Sequence, residues 1–291
     1  MLVTQASPAN LRAIGLMCVG VLFLVVNDAI GKMLVERFDP FQILFARCVV
    51  ALPFVALFVY FNSGGAGFRS GCLRVHVFRA LLAVLATWLF IKSLASLSLA
   101  EATSFIFTAP IFVAALSMPL LRQRVSAARV AAICTGFIGA VIVLQPGTGS
   151  LQLASFLALG AAFLTALIMI SARWIDSGDR FWTMTFFMTL LSGMFCAFVL
   201  VSDWPEIEAA DLVLIFAMAV AGTLGIALVT EAFRIGEASA VAPFDYTAMI
   251  WASLFGWMFW GSIPGLPFYL GAAIIATSSL YLVLKGTASD Q

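Results

Sequence analysis

Asp28 and Lys32 stand four residues apart in a long apolar stretch, acid before base, the favoured order for an ion pair along a helix. Arg47 lies in the next apolar stretch, Lys92 late in the third and Glu101 at the start of the fourth. Charges in such surroundings are costly, so they turn toward one another or toward a water-filled cavity. A hairpin about residue 37 brings Arg47 to the depth of Asp28, and one about residue 97 brings Lys92 to the depth of Glu101. The two depth-matched sets, Asp28/Lys32/Arg47 and Lys92/Glu101, suit structural pairing, an outer gate, or a dock for the amino and carboxylate groups of a zwitterion. At the other ends of the stretches stand Arg79, Glu231 and Arg234, the last two at three-residue spacing. Asp245 has no base near it in sequence, so it is the candidate for cation or proton handling, unless it reaches an interface by snorkelling.

A second constellation is written twice. Phe105-Ile-Phe-Thr-Ala-Pro-Ile111 recurs half a chain later as Phe244-Asp-Tyr-Thr-Ala-Met-Ile250. Thr108 and Thr247 are its matching polar residues, each about ten residues, or ~15 Å, from a span end. Pro110 removes a helical hydrogen bond and crowds Ile106, which predicts a kink at midplane depth. Trp251, one turn past Thr247, matches Phe112, a pair able to stack an aromatic or planar substrate. With the deep Trp88 these residues form the expected cavity set: Thr108, Pro110, Phe112, Thr247, Trp251 and Trp88. Trp174, Trp182, Trp204 and Trp260 flank apolar stretches and read as interface anchors.

The elements that position these residues follow from composition. A hydrophobic fraction of 63% with 10% charge places the chain in a bilayer rather than in water. At roughly 20 residues per helical span, the apolar runs predict ten helices, at about 11–31, 41–61, 74–95, 99–121, 127–144, 151–171, 181–201, 211–233, 239–261 and 267–285. Little is left for a soluble domain, and the first span reads as retained rather than as a signal peptide. The halves run 1–145 and 150–291, divided at the turn cluster Gln145-Pro-Gly-Thr-Gly-Ser150. Five spans per copy is odd, so the second copy enters the membrane inverted. Inverted repeats with a site at their interface are the architecture of alternating access.

Basic residues set the orientation. Arg12, Arg69, Arg74, Arg122, Arg124 and Arg173 are among many on one side, against Lys32, Arg37 and Lys92 on the other. By the positive-inside rule both termini are cytoplasmic. Small-residue rows in the fifth span, Ala128-Ala132-Gly136-Ala140 and Ala127-Ala131-Thr135-Gly139, invite close approach by a helix of the same half or of a homodimer partner. Five cysteines without CxxC spacing and a single histidine argue against disulfides, a metal site or a cofactor. No phosphate-binding loop, HExxH or nucleophile–base pair is present, so an enzyme is not expected, nor is nucleic-acid binding.

The chain resembles the EamA-type members of the ten-span drug/metabolite transporter superfamily. The residues that carry the likeness are Asp28-Ala-Ile-Gly-Lys32, Ala46-Arg47, Ala95-Ser-Leu-Ser-Leu-Ala-Glu-Ala102 leading to Pro110, and Gly136-Phe-Ile-Gly139 with Leu144-Gln-Pro146. The resemblance implies an all-α membrane bundle of two inverted five-helix repeats, with spans one to four and six to nine around a central cavity. Relatives export amino acids, aromatic ones among them, or move riboflavin, S-adenosylmethionine or sugar phosphates. Span nine lacks the Lys-Arg pair of the sugar-phosphate branch, and Gln123 stands where an acid commonly follows span four. The expectation is a bacterial inner-membrane exporter of amino acids, monomeric or homodimeric, working by facilitated diffusion. Uptake of a planar metabolite such as riboflavin or S-adenosylmethionine is the alternative, and a non-transporting scaffold or sensor the alternative of another class.

Overall fold

The computed structural model describes residues 8–121, 127–144, 153–171, 174–175, 181–199, 204–236 and 241–287. The Gln145–Ser150 break, Gln123, Arg122, Arg124 and Arg173 lie outside them. All regular structure among the described residues is helical: α1 Pro8–Leu34, α2 Pro40–Ser63, α3 Leu73–Leu94, α4 Leu99–Ile106, α5 Ala109–Leu121, α6 Ala127–Leu144, α7 Leu153–Ser171, α8 Phe181–Val199, α9 Ala209–Ile235, α10 Thr247–Trp260 and α11 Leu266–Thr287. Short 3-10 segments at Gly64–Phe68 and Ala242–Tyr246 follow α2 and precede α10. Six of the helices, α1, α2, α3, α7, α8 and α9, are long and apolar enough to cross a membrane.

Packing follows the internal duplication. If α1, α2 and α3 correspond to α7, α8 and α9, the contact of α1 with α9 has its counterpart in α3 with α7. Both are among the most extensive in the molecule. Corresponding helices also meet in pairs: α2 with α8, α4 with α10 and α6 with α11. The two halves are therefore interlocked rather than side by side. Along α1, Ala13, Met17, Val21, Val25 and Ala29 are all buried at four-residue spacing, one continuous face. Close approach rests on glycine: a Cβ on Gly20 would lie 2.9 Å from Val229 on α9, and one on Gly271 2.6 Å from the Gly139 carbonyl. The small-residue rows of α6 thus meet α11, a helix of the other half of the same chain, and at Gly136 also Ile111 of α5, the same-half contact expected from sequence. Phe61, Phe198, Val213 and Ile250 point outward and are strongly exposed, which suits lipid.

The fourth span is two helices. α4 stops at Ile106, Phe107 and Thr108 form a turn, and α5 starts at Ala109. Pro110 therefore does not kink a continuous helix. It sits in the first turn of a new one, where its missing N–H would have had no partner. The second copy changes helix type at the same register, from 3-10 over Ala242–Tyr246 to α-helix at Thr247. The two breaks meet: the Phe107 and Tyr246 rings, matching residues of the repeat, lie 4.9 Å apart.

Candidate functional site

The breaks engage the hydroxyls that the sequence places at midplane. Thr108 Oγ1 donates to Phe105 O at 2.6 Å, and Thr247 Oγ1 donates to Phe244 O at 2.7 Å. Each adds a second bond to a carbonyl that already accepts the backbone N–H of the same threonine. Thr108 is fully buried. Phe112 packs edge-on against Phe137 and Phe163 rather than beside Trp251, and Trp88 stacks on Phe41 at 5.8 Å. Trp251 is half-buried, and its Nε1 has no hydrogen-bond partner. None of Thr108, Pro110, Phe112, Thr247, Trp251 and Trp88 lines either of two adjoining cavities, and neither does Asp245. Of the first copy of the motif only Ile106 reaches a cavity wall, that of the smaller one; its other residues shape the scaffold.

The larger cavity, about 410 Å³, lies among α2, α3, α7, α8 and α9. The smaller, about 220 Å³, adds α1 and, through Ile106, α4, and shares Arg47, Ala86, Thr87 and Thr165 with it. Both sizes are of the order of the ~300–1,000 Å³ typical for small-molecule sites. Asp28 and Arg47 both line the smaller cavity, and their charges attract one another. This is the part of the outer charge set that the sequence places correctly. Asn27 Nδ2 donates to Asp28 Oδ1 at 2.9 Å, while Asn27 Oδ1 is buried without a partner. Gly222 keeps that oxygen free of contact, since a Cβ there would lie 2.9 Å from it.

Lys32 does not join Asp28. Its Nζ donates to the Leu94 and Leu97 carbonyls at 2.5 and 2.7 Å and stands 5.4 Å over the Trp260 ring. Carbonyls at a helix C-terminus lack intrahelical partners and carry the negative end of the helix dipole, so they compete well for a cation. Nor does Lys92 meet Glu101. Lys92 is exposed on the outside of α3, and Glu101 accepts from the Ser98 N–H and hydroxyl in a capping box that opens α4. The pairing that closes this end of the bundle involves Arg37. Its guanidinium contacts Asp211 and Glu208 at 3.1 Å each and donates to Glu206 O at 3.3 Å. Arg37 belongs to the first half and the three acceptors to the second. At the opposite end Arg234 grips Glu231 with two bonds of 2.6 Å, as their spacing predicts.

The cavity walls hold residues that sequence reasoning passed over. Trp182, read as an interface anchor, lines the larger cavity in the first turn of α8 and stacks on Phe58 at 4.8 Å. Thr165, Thr185 and Thr223 donate their hydroxyl protons to carbonyls four residues back, which leaves oxygen lone pairs to accept from a ligand. The spacing of Thr185, Thr189 and Ser192 along α8, an i, i+4, i+7 row in an apolar helix, was the available signal. The site is thus a pocket of threonines, methionines and aromatics with charge at two levels, Asp28–Arg47 and Arg79. It can bind a small amphipathic molecule.

Related sequences are named as transport proteins. A 30% identity over 275 residues, 93% of this chain and 92% of the other, relates it to a protein named riboflavin transporter in Vibrio cholerae serotype O1. An S-adenosylmethionine uptake transporter of Rickettsia prowazekii is 26% identical over 264 residues, covering 89% of this chain and 87% of its own. A solved crystal structure superposes with a TM-score of 0.60 at 16% identity, across 95% of this chain and 99% of that one, a likeness of fold. The model of the EamA-like transporter family matches twice, over residues 11–145 and 152–284. With five spans' worth of sequence in each match and an amphipathic pocket between interlocked halves, the chain belongs to the EamA-like transporter family of the drug/metabolite transporter superfamily.

Proposed function

We propose that the chain is an alternating-access carrier of the bacterial inner membrane that takes up a planar, hydroxyl-bearing metabolite of the flavin class. The observation that carries this reading is the likeness, over nearly the whole of both chains, to the Vibrio cholerae protein named riboflavin transporter. The pocket supports it chemically. Trp182 offers an aromatic face, Met184 and Met188 offer adaptable apolar wall, and threonine oxygens accept from ligand hydroxyls. Both termini are cytoplasmic by the charge bias, so the cavity reaches from the depth of Asp28 toward the cytoplasmic end at Trp182 while the Arg37 end is shut. Transport runs down the metabolite gradient by rocking of the two halves.

Export of amino acids is the second reading, favoured by one observation: Asp28 and Arg47 share the small cavity and present opposite charges to a zwitterion. Proteoliposomes containing the purified chain separate the two. Saturable entry of labelled riboflavin is expected. Flux of an aromatic amino acid with none of riboflavin refutes the flavin reading in favour of the second, and absence of any flux supports a non-transporting role.

A further inference from the structure

Arg79 is a charge without a counter-charge. It stands two turns into α3 with only 8% of its surface exposed. Nη1 donates to the Ile168 carbonyl at 2.9 Å, and Nε is buried with no partner. Among the described residues it forms no ion pair and no acidic side chain shares its cavity wall, whereas Arg47, the other guanidinium of the cavity, also lines the smaller cavity together with Asp28. The wall of the larger cavity holds both arginines and no carboxylate. One carbonyl is weak compensation for a guanidinium held in a bilayer, and a buried charge left unpaired is strongly destabilising. Guanidinium offers five donors in a flat fork that fits carboxylate and phosphate oxygens.

We infer that Arg79 is a specificity residue that recognises an anionic group, carboxylate or phosphate, on the transported molecule. This deepens the reading of the pocket as a flavin site, on which it rests for the identity of the rest of the ligand. Riboflavin itself carries no charge at neutral pH, whereas flavin mononucleotide carries a phosphate on the same ring system. Arg79 and Arg47 lie at opposite depths of the joined cavities, Arg79 six residues from the start of α3 and Arg47 seven from that of α2. α2 and α3 run in opposite directions across the bundle. A ligand with its ring between them can set an anionic tail against Arg79 without displacing the Asp28–Arg47 pair.

The test is ligand-dependent thermal unfolding of the purified full-length protein, at constant ionic strength, with riboflavin, flavin mononucleotide, inorganic phosphate and acetate as separate probes. A ligand that binds the native state raises its melting temperature in proportion to occupancy. Saturable stabilisation by flavin mononucleotide or phosphate assigns the anion as phosphate, and by acetate alone as carboxylate. In Arg79→Gln the dissociation constant for that probe should rise on the order of 10- to 100-fold, the loss of a charged hydrogen-bonded contact. Arg79→Lys, which keeps the charge and loses the fork, should fall between. An unchanged constant in Arg79→Lys and Arg79→Gln overturns the inference, as does failure of all three anions to stabilise the wild type. If Arg79→Gln does not fold, Arg79→Lys decides alone, and affinity equal to wild type overturns the assignment. Anion binding that depends on Arg79, with no binding of either flavin, leaves the inference standing and removes the flavin reading. Riboflavin binding with no role for Arg79 does the reverse.

Discussion

Replacing Arg37 by alanine should open the end of the bundle at which it stands. The Arg37 contacts join the halves, so they exist only while that end is closed. The pair with Glu208 is between exposed side chains and is worth roughly 0–1 kcal/mol. The pair with Asp211 counts for more, because the Asp211 side chain is only 5% exposed. A charge-assisted hydrogen bond of this kind contributes about 1.5–3 kcal/mol. Asp211 keeps its bond from the Glu208 N–H at 3.0 Å, so the carboxylate is not orphaned and the lower half of that range applies. The sum is about 2 kcal/mol, a shift on the order of 30-fold in the ratio of closed to open forms. Spin labels at Glu36 and Ile207, in a background lacking the native cysteines, report that ratio as a distance distribution. A longer-distance population should grow in Arg37→Ala, and in Asp211→Asn. The double variant should show less than the sum of the two, since the partners act together. The exposed half of the effect should weaken as salt is raised. If both single variants keep the wild-type distribution, the contacts do not hold this end shut and the gating argument fails.

Trp182→Ala should raise KM for riboflavin about 3- to 10-fold in proteoliposomes, the worth of one aromatic stacking contact, with insertion unchanged. Thr247→Val removes a hydroxyl engaged by its own backbone, so KM should stay at the wild-type value while thermal stability falls by about 1 kcal/mol. Pro110→Ala adds an N–H in the first turn of α5, where it has no helical partner, and the second copy breaks at the same register with Met249; α4 and α5 should stay separate, and proteoliposome transport should remain near the wild-type rate. Gly271→Ala drives a methyl to 2.6 Å from the Gly139 carbonyl, and should lower the melting temperature in detergent by an amount equivalent to ~1–3 kcal/mol.

The helical class and the duplication were legible because both are written along the chain, one in hydropathy and the other in repeated residues. Depth was legible too: Asp28 and Arg47 do reach the same level and the same cavity. Direction around each helix axis was not. A residue turns 100° from its neighbour, so a small error in register or tilt sends a side chain to another partner. Lys92 and Glu101 share a depth, but α3 turns Lys92 outward while Glu101 caps its own helix. Lys32 was free to take any acceptor within reach of a long side chain, and the last residue of α3 and the turn after it supplied one each. Trp182 lies at a span end, as anchors do, and only the packing of α8 against α2 decides that it faces the cavity. The repeated heptapeptide drew attention to itself as a binding element, although repetition is equally the mark of a joint built once and used twice.

That joint has a thermodynamic consequence. Phe107 and Tyr246 meet where the two breaks cross, so each half presents the other with nearly its own mirror in sequence. Were the copies identical, exchanging their roles would leave the energy untouched, and the two ends of the bundle would open equally often. Any resting preference must therefore come from positions at which the copies have diverged, among them Ile106 against Asp245, Pro110 against Met249, and the Arg37 contacts with Glu208 and Asp211. Substitutions that make Pro110 and Met249 alike should shift the balance between the two ends even though neither residue lines the cavities.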